Sequence, residues 1–598
     1  MNIRPKIALA LLLASIFILS SCASNKSNAD SFEGTDSQSV ESVSDDADTT
    51  EYVTLYQNGA SLFDVLYDSS MEIESPRLVA TRSFYTSILN ALGEPAGSKT
   101  APRLMPDKDY TEDASKTVIL FGLTVAKESV EALNSSSLDE YGYYVKGQKI
   151  VIYGRTLEEL ETAGAAFLVL LNESAKLDEN KKPLFQIDTT AQKKYNNKSL
   201  SILSLPELTA GTEKLLCDDG DDARMWVAKS CTPDDFTTYK EALKSSSFNL
   251  YEENEINNNL YATFSKGDII VDVWYTIDGY LRVTASKGFD LLPKNKLSYT
   301  KKTDSGLAMV GPTEWKDSGE LTMFFLLEDG RFVVIDGGTA QFQSETLLEA
   351  MREVAPDPDN ITIACWIFTH THGDHIGAFV GVSKNWKSVY SGKLKIESFL
   401  YNLAGKEQAL VPNQMLTADD TVRKYINNTF PDAKRYKAHP GNKISFANMD
   451  IEILATHESY IMDYYPVFKN ACCLVLKITV NDQVIMIEGD TGELNNKVLA
   501  DTYGSYLKCD ILQATHHGNF GGLVEANKLF APEVVLYFCN STGVNGFSSL
   551  ESKDYNQALI NKDQNPYFKE YIVQDCKLIY LSLPYTAGTS QVLKDYST

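Results

Sequence analysis

Between positions 368 and 375 the chain reads FTHTHGDH, so His370, His372, Asp374 and His375 fall within six positions of a protein that has only seven histidines in 598 residues. Imidazole nitrogens interleaved with a carboxylate form a donor set suited to zinc, at ~2.0 to 2.2 Å per bond. The apolar run ITIACWIF precedes them and reads as a buried strand. A loop leaving its end can turn His370 and His372 toward one cation, and Asp374 and His375 toward a second. One histidine is accounted for by a hydrogen-bonded turn. Three around an aspartate are not, because burying such groups uncompensated is costly. Two later strand ends offer further donors: Asp490 closes CCLVLKITVNDQVIMIEGD, and CDILQATHHGN carries His516 and His517. Strand ends are where a site assembled from several loops collects its ligands.

HTHGDH, then Gly489-Asp490, then His516-His517-Gly518, in that order, resembles the metallo-β-lactamase superfamily. Within it the pattern is similar to the ComEC-like branch and to teichoic-acid phosphorylcholine esterases. The resemblance spans 305–598 and implies an αββα sandwich with two Zn2+ between its sheets, Mn2+ or Fe2+ being alternatives. It implies His370 and His372 on the first metal, Asp374 and His375 on the second, Asp490 bridging them and His517 completing the second. His516 would contact the scissile phosphate or protonate the leaving group, and it could exchange roles with His517. For a third ligand of the first metal, the GHTxG segment of many members is missing; His457 in EILATHESY and Asn470 in KNACCLVL occupy the right interval. Asp336-Gly337-Gly338, after ELTMFFLLEDGRFVVIDGG, would line the site floor, with glycines admitting close backbone approach. Past the HHG motif the chain has Asn519-Phe520-Gly521-Gly522 where relatives commonly have Ser, so the substrate does not follow from the resemblance.

These donors need a frame. Apolar runs such as RFVVIDGG, MDIEILATH, QVIMIEGD and EVVLYFCN recur through 305–598, with helix-like segments at 344–354 and 523–529. Runs apolar on both faces are strands covered by further layers, which predicts two packed sheets with helices outside. Upstream, 51–197 alternates helix-like segments (79–92, 157–172) with the strand TVILFG and a hairpin turning near Gly147, a small α/β domain similar to the non-catalytic N-terminal domain beside several glycoside hydrolases. Segment 198–304 has one helix (233–244) and strands around a Gly267-Asp268 turn, a small α+β domain. The fold class expected is therefore α/β multidomain. Its run Asp218-Asp219-Gly220-Asp221-Asp222 lacks the EF-hand ligand order and reads as a solvated acidic loop. No CxxC pair exists, and the eight cysteines beyond Cys22 read as buried free thiols, with Cys217 and Cys231 the pair most open to a disulfide.

The chain opens MNIRPKIALALLLASIFILSSC: two basic residues, an apolar run from 7 to 19, then Leu19-Ser20-Ser21-Cys22. That is an export signal over 1–21 whose end resembles the bacterial lipobox, with Cys22 lipidated and the protein held on the outer face of the cell membrane. Residues 22–50 are polar, acidic and nearly free of large apolar side chains, a spacer that cannot form a core. A formal charge of −25 disfavours stable nucleic acid binding, which relies on concentrated Lys and Arg. The expectation is thus a surface-anchored binuclear hydrolase. Its water, acidified by two cations and oriented by Asp374, would attack a phosphodiester, with His516 as acid. A β-lactam, lactone or other ester is the alternative substrate, and a catalytically silent glycan-binding lipoprotein the alternative class.

Overall fold

The computed structural model describes residues 51–597 except 70–75, 96, 112–115, 125, 137–138, 198–200, 213, 222, 294–297, 316–318, 342, 405–408, 411–412, 462–466, 520, 542–549 and 551. The expected signal, the spacer and Cys22 lie outside the described residues, as does Phe520. Among the described residues no helix is long and apolar enough to cross a membrane.

Residues 305–598 build two large sheets whose inner faces share one core. In the first, Gly306–Val310, Thr322–Leu326 and Phe332–Asp336 run antiparallel, and Ile361–Ile367, Ser398–Tyr401 and Lys434–Lys437 continue it in parallel. The second contains Met449–Ala455, Val475–Val480, Gln483–Ile487, Ile511–Gln513 and Val534–Tyr537. Side chains of a strand alternate between faces. Accordingly Ile485 and Ile487 enter the core between the sheets beside Ile335 and Ile367, while Met486 points outward. The outer face of the first sheet is covered by Gln343–Val354 and Gly373–Lys384, through Leu347, Met351 and Phe379.

The outer face of the second sheet carries Glu493–Tyr503 and Val524–Phe530, and also part of the unit expected at 198–304. That unit is a six-stranded antiparallel sheet with the helix Pro233–Ser245. The helix starts where Thr232 accepts from the Asp235 N–H (3.4 Å) while Asp235 accepts from the Thr232 N–H (2.8 Å), a reciprocal cap with Pro233 in the first turn. Cys217, Val227, Tyr261 and Trp274 on one face of this sheet join the same core as Leu454, Met486 and Tyr503. Polar bonds stitch the join: Tyr261 and Tyr503 share a hydroxyl bond of 2.9 Å, and Asn259 Nδ2 donates to the Thr502 carbonyl at 3.1 Å.

Within the acidic run, Asp219 and Asp221 depart from expectation, because both belong to this join. Asp219 is fully buried; its carboxylate accepts from Thr284 (3.1 Å) and lies 3.3 Å from the buried Lys437 ammonium, which also donates to its carbonyl. Asp221 pairs with Arg423. Cationic partners from residues 305–598 draw in carboxylates that would otherwise stay in water. His439 belongs to the same network, its ring between Glu458 (2.8 Å) and Asp272 (3.7 Å). Burial opposes its charge, but Glu458, Asp272 and Asp219 outweigh burial and push its pKa up to about 9.

The eight described cysteines are free, seven of them buried. Cys217 and Cys231 lie in different cores, which rules out their pairing here. In residues 51–197 a six-stranded and a four-stranded sheet pack with Pro76–Leu92 and Leu157–Glu173. Glu140–Lys146 and Lys149–Tyr153 form the expected hairpin at Gly147.

Candidate metal centre

Strand registers bring the donor loops together. Phe332–Asp336 and Ile361–Ile367 are parallel with Ile335 opposite Ile367, so both end at the same level. Gln483–Ile487 and Ile511–Gln513 do likewise, with Ile487 opposite Gln513. The first pair delivers Asp336 and the HTHGDH loop; the second delivers Asp490 and the histidine pair. A bond across the two sheets, from Leu474 N–H to the Thr369 carbonyl (2.9 Å), holds these edges in place.

Each loop is then pinned. The side-chain oxygen of Gln513 accepts from the N–H groups of Glu488 (2.9 Å) and Gly489 (2.8 Å), and its Nε2 returns a bond to the Gly489 carbonyl (3.1 Å), which fixes the turn carrying Asp490. His516 N–H donates to the same carbonyl at 3.0 Å. His516 and His517 both adopt left-handed backbone, at φ 48° and 60°. Two successive non-glycine residues there cost on the order of 1 to 3 kcal/mol each, a strain that persists only where surroundings impose it. Asp374 begins the helix Gly373–Lys384, and its carbonyl accepts from Leu321 N–H (3.1 Å).

Two donor groups result. One atom each from Asp374, His375, Asp490 and His517 lie within 4.8 Å of one another, and so do atoms of His370, His372 and Asp490. Asp490 is common to both. Its Oδ2 stands 3.2 Å from His375 Nε2, 3.5 Å from His517 Nε2 and 3.9 Å from His370 Nε2. His517 Nε2 is 3.2 Å from Asp374 Oδ2. The six residues of the expected ligand set therefore converge. His516 reaches Asp490 only at 3.7 Å and is 28% exposed in its side chain, against 4% for His517, so it stands at the rim.

His457 is not brought to this centre. It is fully buried in the join with the 198–304 sheet, its Nε2 3.2 Å from Asp219 Oδ1, because its strand ends on the outer side of the second sheet. Asn470, the other residue in that interval, does face the centre: its Nδ2 lies 3.4 Å from His516 Nε2.

Asp336 is a correction to the expected site floor. It stands behind His375, whose Nδ1 donates to Asp336 Oδ2 at 2.8 Å, while Thr369 gives its N–H to Oδ1 (2.8 Å) and its hydroxyl to Oδ2 (2.6 Å). This bond fixes the tautomer that leaves His375 Nε2 bare toward Asp490 and Asp374. The adjoining glycines serve helix packing instead of a metal: Gly337 and Gly338 carbonyls accept from Ala378 and Gly377 N–H groups at 2.7 Å. Gly319 was not foreseen. A Cβ there would sit 2.4 Å from His517 Cγ, so only glycine lets this segment back the imidazole.

The electrostatics fit a cation. Burial opposes protonation of His375, yet Asp490, Asp374 and Asp336 hold its pKa well above the usual value. Burial likewise opposes charge on His517, and Asp490 and Asp374 push it up to about 9. Burial tends to raise the Asp490 and Asp374 carboxyls, but the neighbouring imidazolium groups hold both low. The buried atoms His375 Nε2 and Asp490 Oδ1 make no hydrogen bond among the described residues. Orphaned acceptors at the meeting point of carboxylates suit a divalent ion that would take the place of the two protons. His516 differs: burial lowers its pKa, leaving it neutral near pH 7.

No protein-family model matches the chain, and no curated protein matches it. Among solved structures it is similar to the metallo-beta-lactamase fold protein YhfI from Bacillus subtilis, at 16% identity over 45% of this chain and 96% of that one, with a TM-score of 0.28. It is similar to unliganded yeast PDE1 at 12% identity over 46% of this chain and 98% of that one, with a TM-score of 0.29. A third is CmlA, a diiron beta-hydroxylase from Streptomyces venezuelae, at 11% identity over 47% of this chain and 55% of that one, with a TM-score of 0.29.

Proposed function

We propose that this chain is a binuclear metal-dependent hydrolase of phosphodiesters, held at the outer face of a bacterial membrane by a lipid on Cys22. The observation that carries the catalytic part is the sharing of Asp490 by two donor groups, which otherwise use separate side chains. His370 and His372 would hold one ion, Asp374, His375 and His517 the other, and Asp490 would face both. The donors are imidazole and carboxylate without thiolate, which accommodates Zn2+ and also Mn2+ or Fe2+. When bound, such a pair supplies Lewis acidity toward a phosphoryl oxygen and lowers the pKa of water toward neutrality.

The remaining work falls to the chain itself. Asp336 orients His375, and Gly319 backs His517. Asp374, 27% exposed where Asp490 is 1% exposed, is the carboxylate that can reach an incoming water and accept its hydrogen bond. At the rim, the Asn470 amide donates toward His516 Nε2 and burial keeps that ring neutral. His516 Nε2 is thus suited to accept a proton or a substrate hydroxyl bond, and it becomes the acid for a leaving group only after taking up that proton. The in-line geometry available to a two-ion site favours a phosphodiester over an acyl substrate.

Metal content and turnover test this. Protein dialysed against Zn2+ should retain two equivalents and hydrolyse bis-p-nitrophenyl phosphate, with Asp374→Ala abolishing turnover while staying folded. Retention of fewer than two equivalents, or turnover untouched in Asp374→Ala, would refute the proposal. Hydrolysis of lactones or β-lactams instead of phosphodiesters would redirect the substrate class and leave the centre standing.

A further inference from the structure

The metal centre leaves a second concave feature without a role. In residues 51–197 a cavity of about 660 Å³ opens where the four-stranded sheet meets the six-stranded one, lined among others by Tyr52, Asp64, Lys99, Arg103, Lys116 and Gln148. Three of these are cations and one is an anion, so the cleft is net positive in a chain whose formal charge is −25. Such a local reversal of sign needs a cause, since lysines scattered for solubility would have no reason to face one hollow.

The cations are held in place by polar groups behind them. Asp64 is buried and takes Arg103 in a two-point grip, from Nε at 3.0 Å and Nη2 at 2.6 Å, and also accepts the Arg103 N–H at 3.2 Å. Lys116 Nζ approaches the same carboxylate at 3.4 Å. One buried carboxylate thus orients two cations, while their side chains stay 59% and 49% exposed toward the cleft. Lys99 lines the same cavity. Its loop is braced by Glu94, which accepts from Tyr56 (2.8 Å), Ser98 (2.8 Å) and Thr100 (2.8 Å), and by the Ser61 N–H bond to the Thr100 carbonyl (2.9 Å). Lys99 makes no ion pair among the described residues. Gln148 adds an amide: its oxygen accepts from Thr117 at 2.7 Å, which turns the NH2 group away as a donor. Tyr52, 44% exposed, offers an aromatic face at the rim with Lys176 Nζ 5.0 Å from its ring centre.

Three cations set against a single carboxylate, with two of them still half-exposed beside it, describe a receptor for anions. We infer that this cleft binds a ligand carrying at least two phosphate or carboxylate groups, with Arg103 as the oriented fork and Lys99 and Lys116 as the accompanying charges. Arginine held by a buried acid presents its remaining N–H groups in a fixed plane, which suits a tetrahedral or planar oxyanion. The cleft contains no member of the metal-binding set, so it is a binding site separate from catalysis.

Lysine footprinting on the full chain tests the inference. Acetylation of Lys99 and Lys116 is followed by peptide mass spectrometry with and without inorganic pyrophosphate, and again with citrate, at low and high salt. Protection of these two lysines above the average of the others, lost at high salt, is the expected result; the probe that protects better tells phosphate from carboxylate. In parallel, the double variant Lys99→Ala/Lys116→Ala should lower affinity for the protecting anion about tenfold, read by titration calorimetry. Both side chains are exposed, so folding should be unaffected, and unchanged turnover of a phosphodiester confirms that the metal centre is intact. Lysines equally labelled with and without both anions, or a double variant that binds as the parent does, would overturn the inference.

Discussion

Replacing Asp336 by Asn would test how the centre is supported, because the change keeps volume and removes only charge and one acceptor. Asp336 is fully buried and receives three donors: two at Oδ2, from Thr369 Oγ1 and His375 Nδ1, and one at Oδ1, from the Thr369 N–H. An amide cannot satisfy them. If its oxygen takes the Oδ2 position, its NH2 faces the Thr369 N–H; if it is flipped, the NH2 faces both Thr369 Oγ1 and His375 Nδ1. In the second arrangement the Thr369 hydroxyl can turn to accept from the NH2 but the His375 bond is lost; in the first, one donor opposes another and the His375 bond falls from charge-assisted to neutral, so either way the hold on His375 weakens. Losses of this kind cost on the order of 1 to 3 kcal/mol. Because the strain is relieved by letting His375 tilt, most of it should emerge as weaker metal binding, ~10- to 100-fold, as for other partners of ligating histidines. The loss should be selective: His375 belongs to the group with Asp374 and His517, while His370 and His372 form the other. Competition against a chromophoric chelator should therefore show one Zn2+ equivalent bound as in the parent and one weakened, with far-ultraviolet circular dichroism unchanged. Two unaltered equivalents would refute the idea that Asp336 acts through His375. Equal weakening of both would refute the division into two groups.

Three further outcomes follow from the same geometry. Gly319→Ala would place a methyl 2.4 Å from His517 Cγ, so the ring must move; turnover should fall at least ~10-fold through loss of the second ion, checked by metal analysis of the variant. In metal-free protein the neighbouring carboxylates favour the protonated form of both rings: they push His517 up to about 9 and hold His375 well above its ordinary value. Binding of Zn2+ should then release roughly two protons at pH 7 and strengthen as pH rises toward 9, measured by calorimetry in buffers of different ionisation enthalpy; uptake of protons would contradict the charge assignments. Lys437→Met should destabilise the fold by about 3 to 5 kcal/mol in denaturant melts, because it strands the buried Asp219 carboxylate. A loss under 1 kcal/mol, far less than about 3, would mean that Asp219 finds water instead.

Much of the centre was readable because its donors lie in short motifs at strand ends. HTHGDH places three histidines and an aspartate by local geometry alone, and the apolar runs before Asp490 and His516 reveal the strands that bring them level. What supports those donors was harder to see. Gly319 matters through a contact with a ring 198 positions away, which no periodicity in the sequence marks. Asp336 was visible as a residue at a strand end, but its job depends on which neighbour the parallel register supplies. His457 and Asp219 depart from expectation for one reason. Each is polar in a polar-looking segment, and only their mutual bond across 238 positions shows that both are interior. Local composition reports whether a group prefers water; it does not report where a distant counter-charge will be.

That distant counter-charge has a consequence for what can be taken apart. Lys437 and His457 belong to the half that carries the donor groups, and the carboxylate that meets both arrives from Asp219, in the preceding unit. A polypeptide trimmed to begin at 305 would keep every donor of the metal centre. It would also turn Leu454 and Tyr503 toward solvent and leave an ammonium and an imidazole beside them with their acid removed. The donor set and the scaffold thus have different borders along the chain: the piece that keeps these donors in this geometry must reach back at least to Asp219, 151 positions before His370, the first of them.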